Sequence, residues 1–180
     1  MKKVTDKNKT VSLFLFILFT TLALYAQDKF PVPASDTNQL FYLQRTFNAN
    51  TIIYKLNYKN AVLDAEEPIH VYWLRYNEQG QKAELNFFQR KFAYGVKSTL
   101  ISKDKYQLHL VSYKKFPMYL IKEANNKYYV YATINQKQAI LNRIFVKITG
   151  GSLWAPDVEY VEVKGVDPAT GKEVMERMKI

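Results

Sequence analysis

From about position 39 to the C-terminus, one pattern recurs: short runs rich in Tyr, Phe, Ile, Val and Thr, cut by clusters of Asn, Asp, Gly and Pro. Branched and aromatic side chains fit a half-buried pleated surface, and alternate residues of a strand point to opposite faces. Ten runs read this way, at 39–45, 51–58, 69–76, 96–102, 106–113, 118–123, 127–135, 139–148, 158–164 and 174–179. Breaks at Asn48-Ala49-Asn50, Asp104-Lys105, Asn125-Asn126 and Asp167-Pro168-Ala169-Thr170-Gly171 link them as hairpins. Between residues 81 and 94 the period changes. Leu85, Phe88 and Phe92 fall at helical spacing, and Gly95 stands where a left-handed C-terminal cap belongs. The expected fold is mainly β, an antiparallel β-barrel or β-sandwich of about ten strands with one α-helix over residues 81–94.

The N-terminus reads differently. Lys2, Lys3, Lys7 and Lys9 precede an apolar stretch from Val11 to Leu24, which ends at Tyr25-Ala26. That order is a secretory signal peptide cleaved after Ala26. The apolar run is short for a membrane span of about 20 residues. The expected organisation is a leader at 1–26, an extended lead-in at 27–37 and one β domain at 38–180. This places the protein outside the cytoplasm, periplasmic or extracellular, with no transmembrane segment after cleavage. The chain has no cysteine, so disulfides, thiolate metal sites and cysteine nucleophiles are excluded. It carries 26 Lys and Arg against 16 Asp and Glu, a formal charge of +10. Without residues 1–26, 22 basic and 15 acidic residues remain, or +7. The excess could attract anionic polymers or membrane surfaces, but the lysines look scattered, which favours a solvated surface, and an exported destination argues against a nucleic-acid partner.

No Gly-rich phosphate loop, His-Glu-x-x-His or Gly-x-Ser-x-Gly signature is present. His70 follows Asp64, Glu66 and Glu67, but that spacing matches no defined metal site. His109 alternates with Leu108 and Leu110 and so faces solvent. Glu159 and Glu162, like Glu173 and Glu176, fall on opposite faces of their strands, which argues against a paired-carboxylate glycosidase. The chemistry points away from an enzyme, with no cofactor and no metal.

Arginine inside aromatic strands is the more telling feature. Arg45 alternates with Leu43 and Phe41, Arg75 with Trp73 and Val71, and Arg143 with Leu141 and Phe145. A cation on an apolar face needs a negative companion, because an unpaired buried charge is costly. Convergence of the three would make the polar end of an apolar cavity suited to an amphipathic anion. Arg45, Trp73, Arg75, Tyr94 and Arg143 are therefore the expected ligand-binding residues of a non-enzymatic binding domain. A second feature supports an alternative. Tyr113, Tyr119, Tyr128, Tyr129 and Tyr131 could form an aromatic platform for a glycan or a protein partner.

The segments 38–45, 51–54, 68–76, 89–96 and 156–165 resemble the secreted bacterial domain-of-unknown-function family numbered 4833. Tyr72-Trp73-Leu74-Arg75-Tyr76 and Ala93-Tyr94-Gly95 are the most specific pieces. The resemblance covers nearly all of residues 36–180 and implies one exported domain. It implies no activity, ligand or catalytic residue.

Overall fold

In the hairpin 39–56, β1 (Gln39–Arg45) and β2 (Thr51–Leu56) pair antiparallel, and their alternation puts Phe41 against Tyr54. The two rings stack at 4.2 Å and both are buried. The computed structural model describes residues 30–34, 36–152 and 155–179, so the expected leader at 1–26 lies outside the described residues. Residues 32–180 form one compact unit; of the other, residues 1–31, only Phe30 and Pro31 are described.

The remaining strands begin with β3 (Tyr58–Lys59), β4 (Val62–Leu63), β5 (Ile69–Arg75), β6 (Gln81–Glu84), β7 (Val96–Ser102) and β8 (Lys105–Leu110). After them come β9 (Tyr113–Lys122), β10 (Tyr128–Ile134), β11 (Lys137–Gly151), β12 (Pro156–Val166) and β13 (Glu173–Met178). Most of these strands fall on the expected runs, but β4 and β6 lie outside them, and β9 begins at Tyr113, within the expected run 106–113. Eleven of the thirteen strands make one sheet that curls into a half-barrel, and β3 and β4 form a separate small hairpin. Every pairing among the described strands is antiparallel except β1 with β11.

The long strand β11 organises the sheet. It pairs with β12 over Ile140–Gly151. A strand has two edges, so β10 (against Lys137–Ile140) and β1 (against Arg143–Val146) share the other one. From that shared edge two leaves run out, β1-β2-β5-β6 and β10-β9-β8-β7. Their inner faces enclose the core, which includes Ile52, Tyr54, Val71, Trp73, Leu108, Met118, Leu120, Val130, Ile134, Leu141 and Ile144.

The expected helix at 81–94 is mostly overturned. Gln79 and Gly80 both take left-handed backbone, at φ 57 and 77, and turn the chain back on itself. Residues 81–84 then pair with Tyr72–Arg75 as an edge strand. Only a short turn is left, ending in a π-helical segment at Gln89–Tyr94. Leu85 is buried as expected, but Phe88 and Phe92 are 58% and 51% exposed, so the apolar stripe does not face the core. The expected left-handed cap at Gly95 is also overturned, since its backbone is extended at φ −63, ψ 161. Glycine is needed there for another reason. A Cβ at that position would lie 2.0 Å from the Arg90 carbonyl oxygen.

Candidate functional site

Three side chains from three elements meet at one end of the inner face. Arg45 closes β1, Trp73 lies in β5, and Tyr94 ends the π-helical turn. The Arg45 guanidinium carbon is 5.6 Å from the Trp73 ring centroid and 5.9 Å from that of Tyr94. The two rings meet edge-on, 5.0 Å apart at 77°. Strict alternation carries this arrangement, because Phe41, Leu43 and Arg45 share a face with no irregularity between them.

The turn bearing Tyr94 is fixed from both sides. Asn86 and Gln89 exchange hydrogen bonds, the Gln89 N–H donating to Asn86 Oδ1 (2.9 Å) and the Asn86 N–H to Gln89 Oε1 (3.1 Å). Trp73 Nε1 also donates to Gln89 Oε1 at 3.2 Å, and the Tyr54 hydroxyl donates to the Tyr94 carbonyl at 3.0 Å. Burial pushes the Tyr94 phenol above its ordinary pKa, while the charge and hydrogen bond of Arg45 pull the other way.

Arg45 and Tyr94 line a cleft of about 610 Å³. Leu43, Leu110, Phe116, Ile144, Val146 and Val163 supply much of its apolar wall, and no Asp or Glu lines it. Asp157, beside the lining residue Pro156, is turned toward Gly150, where a Cβ would sit 3.0 Å from its Oδ2. Among the described residues no carboxylate pairs with Arg45, and its buried Nε has no hydrogen-bond partner. Arg45 is thus the cation in an otherwise apolar cleft.

The expected convergence of three arginines does not occur. Arg75 ends β5, has a 41% exposed side chain and pairs with Glu78 at 3.1 Å, so it lies off the cleft. Arg143 is turned to the other face of the sheet. The β11–β12 register slips between Leu141 and Arg143, which leaves Asn142 as an extra residue. A bulge resets the alternation, so Ile144, Val146 and Ile148 line the cleft and Arg143 does not. Arg143 instead donates from Nε to Gln44 Oε1 at 2.9 Å and reaches Glu162 at 3.6 Å. Glu162 also holds Arg177, whose guanidinium covers the Tyr160 ring at 4.2 Å. Phe145, expected beside Leu141, lies on this outer face under Arg143 at 5.0 Å.

The tyrosine platform is not an exposed row. Tyr131 is buried, and its hydroxyl donates to Glu123 Oε1 at 2.8 Å. Tyr128 donates to Asp104 at 2.7 Å, and the Tyr129 hydroxyl accepts from Asn125. Burial and the Glu123 carboxylate push the Tyr131 phenol up to about 12. His70 meets Glu84 at 2.9 Å rather than Asp64, Glu66 or Glu67, and no metal-holding cluster of three occurs among the described residues. His109, expected to face solvent, is half-buried with Nδ1 3.0 Å from the Lys114 carbonyl.

Sequence reasoning missed the lining from β11, β12 and the 110–116 turn. The signal was present in Ile144, Val146 and Ile148, but the bulge before them hid which face they take.

The model of one family, Domain of unknown function (DUF4833), matches residues 41–177. The chain belongs to that family. The match runs from within β1 to within β13 and contains Arg45, Trp73, Tyr94 and the cleft-lining residues other than Met178. No curated protein and no solved structure matches the chain. No helix among the described residues is long and apolar enough to cross a membrane.

Proposed function

We propose that this member of the DUF4833 family is a non-enzymatic binding domain that acts after export. Its ligand is a small amphipathic anion, with the anionic head at Arg45 and the apolar tail along the β11–β12 wall. One observation carries the reading: a buried guanidinium nitrogen without a partner, in a cleft lined mostly by apolar side chains. A guanidinium offers a rigid fork of donors matched to a carboxylate, and two aromatic rings already hold this one in place. The cleft falls within the roughly 300–1,000 Å³ of small-molecule sites. The tyrosine strands favour a glycan or protein partner less, since the hydroxyls of Tyr128, Tyr129 and Tyr131 already bond to Asp104, Asn125 and Glu123.

Titration calorimetry with laurate and with methyl laurate tests the reading. Laurate is expected to bind at least about tenfold tighter than the ester, a difference of ~1.4 kcal/mol. Arg45→Met should bring the two ligands level. Equal affinities in the wild type, or no heat with either, would end the proposal.

A further inference from the structure

The mouth of the cleft carries a feature that ligand binding alone does not need. Phe47 and Phe92 line the cleft yet are 70% and 51% exposed. Phe87, 66% exposed, lies on the same turn as Phe92. Lys91 lies over both rings of that turn, 5.3 Å from the Phe87 centroid and 5.4 Å from that of Phe92. Phe47 holds left-handed backbone at φ 80, a conformation unfavourable for a bulky side chain, and nonetheless projects into solvent.

Some of the basic charge stands at the same end, on Lys91, Lys114 and Lys115. Lys103, Lys105 and Lys122 lie at the opposite end of β7, β8 and β9. Lys114 and Lys115 sit exposed between the cleft-lining Tyr113 and Phe116. Exposed phenylalanine among lysines is the composition of a segment that lies in a lipid headgroup layer, rings toward the acyl chains and ammonium groups toward phosphate. A protein partner would account for the apolar rings. It would not account for their standing at the opening of a cleft shaped for an apolar tail.

We propose that the tip formed by Phe47, Phe87, Lys91 and Phe92 docks on an anionic lipid bilayer, so that the cleft opens against the membrane. Phe87 and Phe47 enter the interface, and the surrounding lysines answer the headgroup charge. The choice of a bilayer over a protein partner rests on the binding reading of the cleft, and the test below separates the failure of one from the failure of the other.

The absence of native cysteine allows a single labelled position in the full chain. An environment-sensitive fluorophore is placed at Phe87→Cys, at Phe47→Cys and, as a control, at Ala169→Cys in the β12–β13 loop. Each protein is mixed with phosphatidylcholine vesicles with or without phosphatidylglycerol. The fluorophores at 87 and 47 are expected to shift to the blue and brighten severalfold with phosphatidylglycerol only, and the one at 169 to stay unchanged. In flotation, Phe87→Ser with Lys91→Ser should lower partitioning by at least about tenfold relative to the wild type. Vesicle binding with silent probes at 87 and 47 would place the contact elsewhere in the chain and overturn the proposal. So would equal shifts at all three positions, equal shifts with pure phosphatidylcholine, or probe shifts without vesicles that rise with protein concentration, the sign of self-association. Arg45→Met separates the two readings, because it should abolish the laurate preference and leave the vesicle-induced shifts intact.

Discussion

Gly95 and Gly171 are both glycines at bends, and they are needed for opposite reasons. Gly171 has left-handed backbone at φ 68 with nothing near its missing side chain, whereas Gly95 has ordinary extended backbone pressed against the Arg90 carbonyl. Gly171→Ala should therefore cost about 1 kcal/mol of stability through backbone strain. Gly95→Ala should cost more, about 2 kcal/mol or above, because the π-helical turn has to move. Urea unfolding checks both, and Gly95→Ala should also weaken any ligand that touches Tyr94. Arg45→Met makes a different forecast. Removing a partly buried cation loses ~1 kcal/mol of attraction to the two rings and relieves an unsatisfied nitrogen, so stability should change by less than about 1 kcal/mol. A large loss in the urea midpoint would mean that Arg45 is structural. At this scale the alternation that sets Arg45 on the face of Leu43 and Phe41 was legible in the sequence, whereas its meeting with Trp73 and Tyr94 needed the structure. The face taken by Arg143 was not legible, because nothing in Leu141-Asn142-Arg143 resembles the glycine or proline that usually advertises an irregular strand.

At the scale of elements, the bulge in β11 decides which side of the sheet is apolar. With Asn142 removed, Leu141 and Ile144 still point inward and Arg143 outward, so the sidedness of β11 survives. Deletion of Asn142 should leave a protein that unfolds cooperatively. Insertion of one alanine between Ile144 and Phe145 should not, because it turns Val146 and Ile148 outward and Phe145 inward. Near-ultraviolet circular dichroism separates the outcomes, and similar loss of signal in both variants would contradict the account. The strand boundaries were largely readable: 39–45 and 96–102 coincide with β1 and β7. The turn before Phe92 was misread because Leu85, Phe88 and Phe92 have helical spacing, while residues 81–84 are recruited by the free edge of β5. Local periodicity cannot report a neighbour supplied by tertiary structure.

For the whole molecule, ionisation sets the working range. Burial holds the phenols of Tyr54, Tyr94, Tyr106, Tyr128 and Tyr131 above the ordinary value of 10.0. A folded-state pKa above the unfolded one gives stability that is complete below pH 10 and is lost as pH rises toward the folded value. Asp36, bonded to Lys55, and Asp167, bonded by backbone N–H groups, have the opposite shift. Their contribution is complete above the unfolded carboxylate pKa of 3.8 and disappears as pH falls through the depressed values. The urea midpoint should therefore be flat through neutral pH, fall steadily above pH ~10 and fall again below pH ~4. Phenolate absorbance should rise in step with the alkaline loss. A midpoint that held constant above pH ~11 would show that the buried phenols ionise without strain.

The meeting of two leaves on one edge of β11 also constrains the order of assembly. Thr46 accepts from the Ile148 amide and donates to the Ile148 carbonyl, a closure between groups 102 positions apart. The hairpins within each leaf need only near neighbours, so they can form while synthesis is still under way. The seam between leaves has to wait until β11 exists, and the hollow beside Arg45 waits with it. A shortened product ending before position 140 would hold recognisable hairpins but no receptacle, and its unfilled strand edges would be open to wrong partners.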